Sequence, residues 1–319
     1  DPCEPRVALQ KMYAFRKWIG LLMIIAFLVL TWQPAMSQQA PLRSKVGDTE
    51  FSISAFPLYQ FDTDLEGGGD YNVKRYFFRF DAGRQMTTDI KAGIGLSYDY
   101  EDWDFTGATG FRDVPWGDIH RSGIDLSFQY AGIEDWTVFF LPSLQSARES
   151  GADWGDSFQT GAVLATSYRF SPKLTLGLGA GLFTGLEDTH VFPFVVIRWQ
   201  ITDKLMLTNP FRPGPTGPAG LEFIYSIDKN WQIAVGSAWR SFRFRLDDKE
   251  PAPEGIGEVN LIPTWARVTW RLDRRFSLDL YTGVSLDGDL KLEDRNGNEI
   301  GKVDQDAALF GALTANFRF

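Results

Sequence analysis

From Thr88 to Tyr100 the chain alternates with period two. Thr88, Ile90, Ala92, Ile94, Leu96, Tyr98 and Tyr100 form one series, and Asp89, Lys91, Gly93, Gly95, Ser97 and Asp99 form the other. Such a period describes an extended strand with one apolar and one polar face. Strands of soluble sheets run about 5–6 residues. This one holds its code for thirteen residues, and about 9–11 suffice to cross a bilayer at a tilt. A sheet in hydrocarbon must close on itself, because every unpaired backbone group at an edge is left without water. The pattern therefore points to a closed barrel with its apolar face outward.

The code recurs along the chain. Tyr76, Phe78 and Phe80 alternate with Arg75, Phe77 and Arg79; Ile124, Leu126, Phe128 and Tyr130 alternate with Gly123, Asp125, Ser127 and Gln129. Leu174, Leu176, Leu178, Ala180 and Leu182 alternate with Thr175, Gly177, Gly179 and Gly181, where small residues relieve crowding inside a barrel. Later, Trp231, Ile233 and Val235, and then Ala266, Val268, Trp270 and Leu272, continue the pattern.

Connections of two kinds separate these segments. Tight ones fall around 83–87, 131–135, 171–173, 202–204, 228–230 and 273–275. Longer Gly-, Pro- and acid-rich ones fall at 62–70, 101–117, 146–155, 185–189, 209–220, 247–258 and 287–306. Short turns on one side and long loops on the other are the layout of bacterial barrels, with the turns periplasmic. Six tight turns join twelve strands, and one strand at each end makes fourteen. The weakest segments, 205–208 and 221–227, leave twelve as the alternative. The expected fold is thus all-β, a transmembrane antiparallel up-and-down barrel of about 14 strands, with both termini periplasmic.

Composition agrees. Aromatic residues make up 15% of the 319, with 31 Gly, and mean hydropathy is -0.18. Helical membrane bundles have long apolar runs instead. The formal charge of -9 argues against nucleic acid, which needs a basic face. Residues 1–37 carry four basic and two acidic side chains, leaving 28 basic and 39 acidic ones, about -11. The single Cys, Cys3, lies in that stretch, so the remainder has no thiol for a disulfide, nucleophile or metal site. No cofactor is expected.

Residues 11–40 have the three parts of an export signal. Lys11, Arg16 and Lys17 are the basic start, 18–32 the apolar core, and Ala35-Met36-Ser37 the small-residue cleavage site. The expected organisation is an N-terminal extension and cleavable signal helix at 1–37, a periplasmic segment at 38–49 and an outer-membrane barrel at 50–319. At the other end, Leu313, Ala315, Phe317 and the terminal Phe319 alternate with polar residues. This ending resembles the C-terminal recognition signal of bacterial outer-membrane proteins. The resemblance implies insertion by the outer-membrane assembly machinery, with Leu313, Phe317 and Phe319 as its contacts and membrane lipids as surroundings. The whole arrangement is similar to the uncharacterised single-domain outer-membrane β-barrel families of Gram-negative bacteria.

Four groups of residues could carry function. The polar phase places Arg75, Arg79, Lys91, Asp89, Asp99, Arg121, Asp125, Arg169, Arg198, Arg240, Arg267, Arg271 and Asp279 toward the lumen. Arg318 and Asp81 share that phase. These charges either form a constriction that selects solutes or pair across strands and fill the interior. His120 and Ser122 share the outward face of one strand. They resemble the His-x-Ser pair of outer-membrane phospholipase and lipid A deacylase families, which implies His as base and Ser as nucleophile; Gly123 departs from the Asn usual there. Asp294 to Glu299 looks superficially like a calcium loop but lacks its glycine and distal Glu. It reads better as a projecting hairpin with a type I′ turn at Asn296-Gly297. The run Pro210 to Pro218 reads as a stiff exposed loop. Trp136, Trp199, Trp231 and Trp270 fall near the turns and Trp103, Trp116 and Trp154 near the loops, as two interfacial girdles. Three functional classes follow: a structural or passive-transport barrel, a lipid esterase through His120 and Ser122, and a surface-binding protein acting through its loops.

Overall fold

The computed structural model describes residues 45–319 apart from 108, 112, 211–214, 216–218 and 250. The expected extension, signal helix and most of the segment 38–49 lie outside the described residues. Sixteen strands occur among them. β1 (Thr49–Asp64), β2 (Asp70–Gln85), β3 (Ile90–Thr106), β4 (Ile119–Tyr130) and β5 (Trp136–Glu149) come first. β6 (Phe158–Ser171), β7 (Leu174–Gly185), β8 (Asp188–Gln200), β9 (Leu205–Thr208) and β10 (Gly220–Ser226) follow. β11 (Trp231–Ala238), β12 (Arg240–Arg245), β13 (Ile256–Arg271), β14 (Phe276–Glu293), β15 (Glu299–Gln305) and β16 (Ala308–Arg318) complete the chain.

Fourteen of these strands close one antiparallel ring. Each of β1 to β10 pairs with the next; β11 then pairs with β13, β13 with β14, β14 with β16, and β16 with β1. Both weak segments are strands, β9 and β10, so the ring has fourteen members rather than twelve. The outward phase is the one expected from the alternation. Tyr76, Phe78, Ile94, Leu96, Ile124, Leu126, Leu164, Leu178, Val235, Val268 and Leu280 are all exposed. In water that much exposed apolar surface would drive aggregation; on a barrel it is the lipid-facing belt. Trp136, Trp199, Trp231 and Trp270 are exposed beside the tight turns, as a girdle requires.

The loop end departs from expectation in four ways. The connection 185–189 is a two-residue turn, not a long loop: Leu186 and Glu187 both have positive φ, 51° and 62°. Non-glycine residues hold that conformation only when neighbours enforce it. Trp103 and Trp116 are not girdle residues. They are buried with Tyr71, Val73, Phe111, Ile119, Phe244, Val259, Leu290, Leu292 and Val303 in one apolar core. The hairpin of β14 and β15 does not project, since Leu290, Leu292 and Val303 turn into that core. At its tip only Gly297 has positive φ, 82°, and its N–H bonds to the Asp294 carbonyl. The tip is therefore a turn followed by a left-handed glycine, because Asn296 does not share the conformation that type I′ needs. Finally, most of the Pro-rich run lies outside the described residues, but Pro215 is buried inside rather than exposed.

Candidate functional site

β12 gives the interior its character. It continues the β11 ladder on β13 in unchanged register, from Ser237 opposite Thr264 to Arg240 opposite Leu261. β10 stops at that level, with Gly220 opposite Ala238. Freed from β10, β12 turns into the barrel and meets β5 on the far wall, where Arg245 pairs with Arg148. A smaller ring thus forms at the loop end: β12, β13, β14, β15, β1, β2, β3, β4 and β5. β15 joins it to β1 through Leu65 and Gln305 and through the N–H of Glu66 to the carbonyl of Asp304, 2.8 Å. The apolar core fills this ring. Arg240 was expected as a wall residue; it sits instead on the crossing strand, its guanidinium 4.7 Å from the centre of the Phe242 ring.

Charges from three adjacent strands pack against β12. Register alone brings them together, since Arg75 lies opposite Glu101 and Asp99 opposite Arg121. Arg75 donates to Asp99 through both Nε and Nη2, and Arg121 donates to Glu101 at 2.6 Å. Both guanidinium groups lie over the Phe242 ring, at 4.9 and 4.7 Å. One level nearer the turns, Arg79 makes two 2.9 Å bonds to Asp125 and one of 2.8 Å to Asp81. A third cluster spans β10, β13, β14 and β16. Arg267 donates to Glu222 at 3.0 and 2.7 Å and to Asp279 at 3.2 Å; Asp279 also accepts from Asn316 at 3.0 Å. Of the two readings of the polar phase, cross-strand pairing is the one these residues adopt. A cavity of about 60 Å³ lined by Arg75, Trp103, Pro215, Arg240, Phe242 and Phe310 remains among them. It has room for a few waters.

The outer face of β12 carries the residues that fix it. Arg243 donates to Glu258 at 2.6 Å, to Glu293 at 2.6 and 3.1 Å, and to the carbonyl of Leu186 at 3.0 Å. Arg245 reaches Glu187 at 3.1 Å, the carbonyl of Asp156 at 3.1 Å and that of Glu254 at 2.9 Å. These bonds hold the strained Leu186-Glu187 turn. Sequence reasoning passed over Arg243, Arg245, Glu222, Glu258 and Glu293. The one available signal was the even series Arg240, Phe242 and Phe244 alternating with Ser241, Arg243 and Arg245, in which neither face suits lipid.

The lumen wall on β5 to β9 is different again. Phe139, Leu141, Val163, Phe183 and Phe192 face inward and stay half-exposed, with Phe194 buried beside them. Gly177, Gly179 and Gly181 of β7 make this possible. A Cβ on Gly179 would collide with the ring of Phe194, and one on Gly181 with that of Phe192. Phe183 and Phe192 stack across β7 and β8 with centroids 5.9 Å apart. The lumen is therefore not uniformly polar: one sector is ionic and the facing one is apolar.

The remaining expected lumen charges lie near the turn end. Lys91 pairs with Glu50 at 2.7 Å, and Arg271 bonds Gln232 at 2.7 Å. Arg169 pairs with Asp135 at 2.8 Å and is exposed, as are Arg198 and Arg318. Asp89 is corrected: it belongs to the exposed β2–β3 turn, where its carbonyl caps Ala131. Leu313, Phe317 and Phe319 all point outward, and Phe319 stacks on Phe51 at 5.5 Å. In the loops, the side chain of Asn298 and then its N–H hold the Asp294 carboxyl below the usual range. The ammonium of Lys249 and then the Asp248 N–H do the same for Asp247. Among the described residues no group of His, Cys, Asp or Glu could hold a metal ion.

On the outer wall His120 does not engage Ser122. Its Nδ1 lies 2.8 Å from the Tyr98 hydroxyl and its Nε2 2.9 Å from Oγ of Ser150. Ser150 follows the last residue of β5, beside the start of β4 in the register.

A family model described as "Domain of unknown function (DUF6268)" matches residues 117–319. No curated protein matches the chain. Among solved structures, an outer membrane channel from Pseudomonas putida F1 is similar over 90% of this chain and 100% of its own, at 9% identity and a TM-score of 0.49. The toluene transporter TodX of Pseudomonas putida is similar over 86% of this chain and 90% of its own, at 9% identity and a TM-score of 0.41. The translocator domain of the autotransporter NalP from Neisseria meningitidis covers 97% of this chain and 98% of its own, at 10% identity and a TM-score of 0.36.

Proposed function

The chain belongs to the family described as "Domain of unknown function (DUF6268)", and from its geometry we propose that it is an outer-membrane channel for small solutes whose axial path β12 holds shut. The tight turns face the periplasm in this reading, as in other bacterial barrels. Insertion through the outer-membrane assembly machinery belongs to it too, with Leu313, Phe317 and Phe319 presented on the terminal strand. One observation carries the proposal: a strand that could have stayed in the wall instead crosses the lumen and is fixed by two arginines. A merely structural barrel gains nothing from a crossing strand with that many ionic fastenings, each of which pays desolvation. In planar bilayers the full-length protein is expected to give small, intermittent currents. Silence at every voltage, with no uptake of small sugars by loaded liposomes, would overturn the channel reading.

A second reading rests on His120. An imidazole oriented by Tyr98 and bonded to Ser150 has the base–nucleophile arrangement of an esterase, at the height of the lipid headgroups. The hydroxyl would attack a lipid ester carbonyl as Nε2 takes its proton. The imidazolium would return that proton to the departing lipid alcohol as the ester C–O bond breaks. Water, activated by the same imidazole, would then hydrolyse the acyl-serine to release the fatty acid. Phospholipid hydrolysis by the purified protein should then vanish in Ser150→Ala and persist in Ser122→Ala. A parent protein that releases no fatty acid removes this reading.

A further inference from the structure

Charge on the lumen phase is distributed unevenly along the barrel. The three clusters described above nearly cancel. Beside Phe242, Arg75, Arg121 and Arg240 stand against Asp99 and Glu101. Arg79 stands against Asp81 and Asp125, and Arg267 against Glu222 and Asp279. Three cations to two anions, then one to two twice, leaves the middle of the lumen close to neutral. The turn end of the same phase does not cancel. Lys91, Arg169, Arg198, Arg271 and Arg318 each stand within two residues of the turn end of their strands. The carboxylates facing them are Glu50, on Lys91, and Asp135, on Arg169. Arg198 and Arg318 are exposed, and among the described residues neither makes an ion pair. Residues 1–44 hold five bases and two acids, so the chain ahead of β1 carries the same sign.

Register sets the spacing of these cations. Arg169 and Arg198 both lie opposite Thr175, on the two strands that flank it, about 10 Å apart at the backbone. Arg271 lies opposite Ser277, and Arg318 opposite Ser52. The cations therefore occupy the mouth from β3 around to β16. On the outward phase they would meet lipid phosphate; on the inward phase they meet whatever enters the lumen. The acid surplus of the chain lies at the other end, where Asp62, Asp64, Glu66, Asp153 and Asp156 are exposed. Water and salt around exposed loops screen such charges within about 8–10 Å. Inside a narrow wall of low dielectric the field of a charged ring is instead focused along the axis. The ring, not the loops, thus decides which ion the lumen accepts.

We infer that the turn-end mouth is a selectivity ring for small anions, inorganic or carboxylate-bearing, with Arg198 and Arg318 setting its preference. The inference rests on the channel reading and names its solute class. Its test places the full-length protein in planar bilayers between KCl solutions of unequal strength and reads the reversal potential. Chloride is expected to pass several-fold more readily than potassium. Raising both solutions toward about 1 M should shrink that preference, because the Debye length falls to about 3 Å. Arg198→Gln combined with Arg318→Gln is expected to lose most of it, and Arg198→Glu with Arg318→Glu to favour potassium. Asp62→Asn with Glu66→Gln, at the loop end, should leave it as in the parent. A reversal potential does not depend on how many channels are open, so a variant that inserts poorly still gives the reading. A parent that favours potassium or neither ion, or a chloride preference that survives the two glutamates, overturns the ring while the channel stands. No current at any voltage, with no sugar uptake by liposomes, overturns the channel reading and the ring with it.

Discussion

Replacing Arg267 by alanine is expected to destabilise the barrel by about 3–5 kcal/mol, the cost of removing one partner from a buried charge cluster. Its side chain is 1% exposed, and those of Glu222 and Asp279 are 2% and 0% exposed. The guanidinium is the group that holds these two carboxylates together, through Nε and Nη2 on Glu222 and Nη1 on Asp279. Trp265 supplies a further bond to Glu222, and Asn316 and Thr269 each donate to Asp279. None of the three neutralises a charge. Without the cation Glu222 and Asp279 lose the positive charge that lies between them in the lumen wall across β10, β13 and β14, and their mutual repulsion loosens the strands that carry them. Lysine is expected to recover only part of the loss, since one ammonium cannot copy a planar fork reaching both sides. The triple change Arg267→Met, Glu222→Gln, Asp279→Asn should recover most of it, because no charge then stays buried. Urea unfolding in detergent micelles, followed by tryptophan fluorescence, measures all three. A loss below about 1 kcal/mol for Arg267→Ala, the range of an exposed pair, would mean that water reaches the cluster.

The outward code was legible because lipid reads it directly. From Thr88 to Tyr100 each apolar residue has one place to go, and Ile94, Leu96 and Tyr98 are exposed on that side. The glycines of β7 were legible for a related reason, since three small residues in one phase announce that something large lies over them. The rings concerned, Phe183, Phe192 and Phe194, were not assigned to that role, because on β8 both phases are apolar between Val191 and Ile197. β12 was hidden more deeply. Arg240 to Arg245 alternates as well as any wall strand, and period two records which residues share a face but not which compartment the face meets. Trp103 and Trp116 misled in the same way: an aromatic near a loop suits an interface or a core, and the difference is made by strands distant in sequence. The partner of His120 was missed because Ser150 comes to it through the β4–β5 pairing, thirty residues away, while Ser122 was merely close in sequence.

Arg243→Ala should open the axial path. In the parent this side chain ties β12 to β13 through Glu258, to β14 through Glu293 and to the β7–β8 turn through the carbonyl of Leu186. Its loss leaves Glu258 and Glu293 with less positive charge between them, Lys291 remaining on Glu293 at 2.6 Å, and frees the turn whose two residues are held at positive φ. Taking about 3 kcal/mol for a broken buried pair, the ratio of released to seated β12 rises about a hundredfold. The expected record in planar bilayers is long open events in place of brief ones. General damage to the barrel could mimic that result, so a reversible clamp decides. Arg148 and Arg245 are bridge partners across β5 and β12, and the barrel contains no cysteine of its own. Cysteines placed at both positions should therefore form a disulfide only while β12 is seated. Combined with Arg243→Ala, oxidation is expected to silence the long events and reduction to bring them back. Long openings that persist with the disulfide formed would show that current flows by a route β12 does not control.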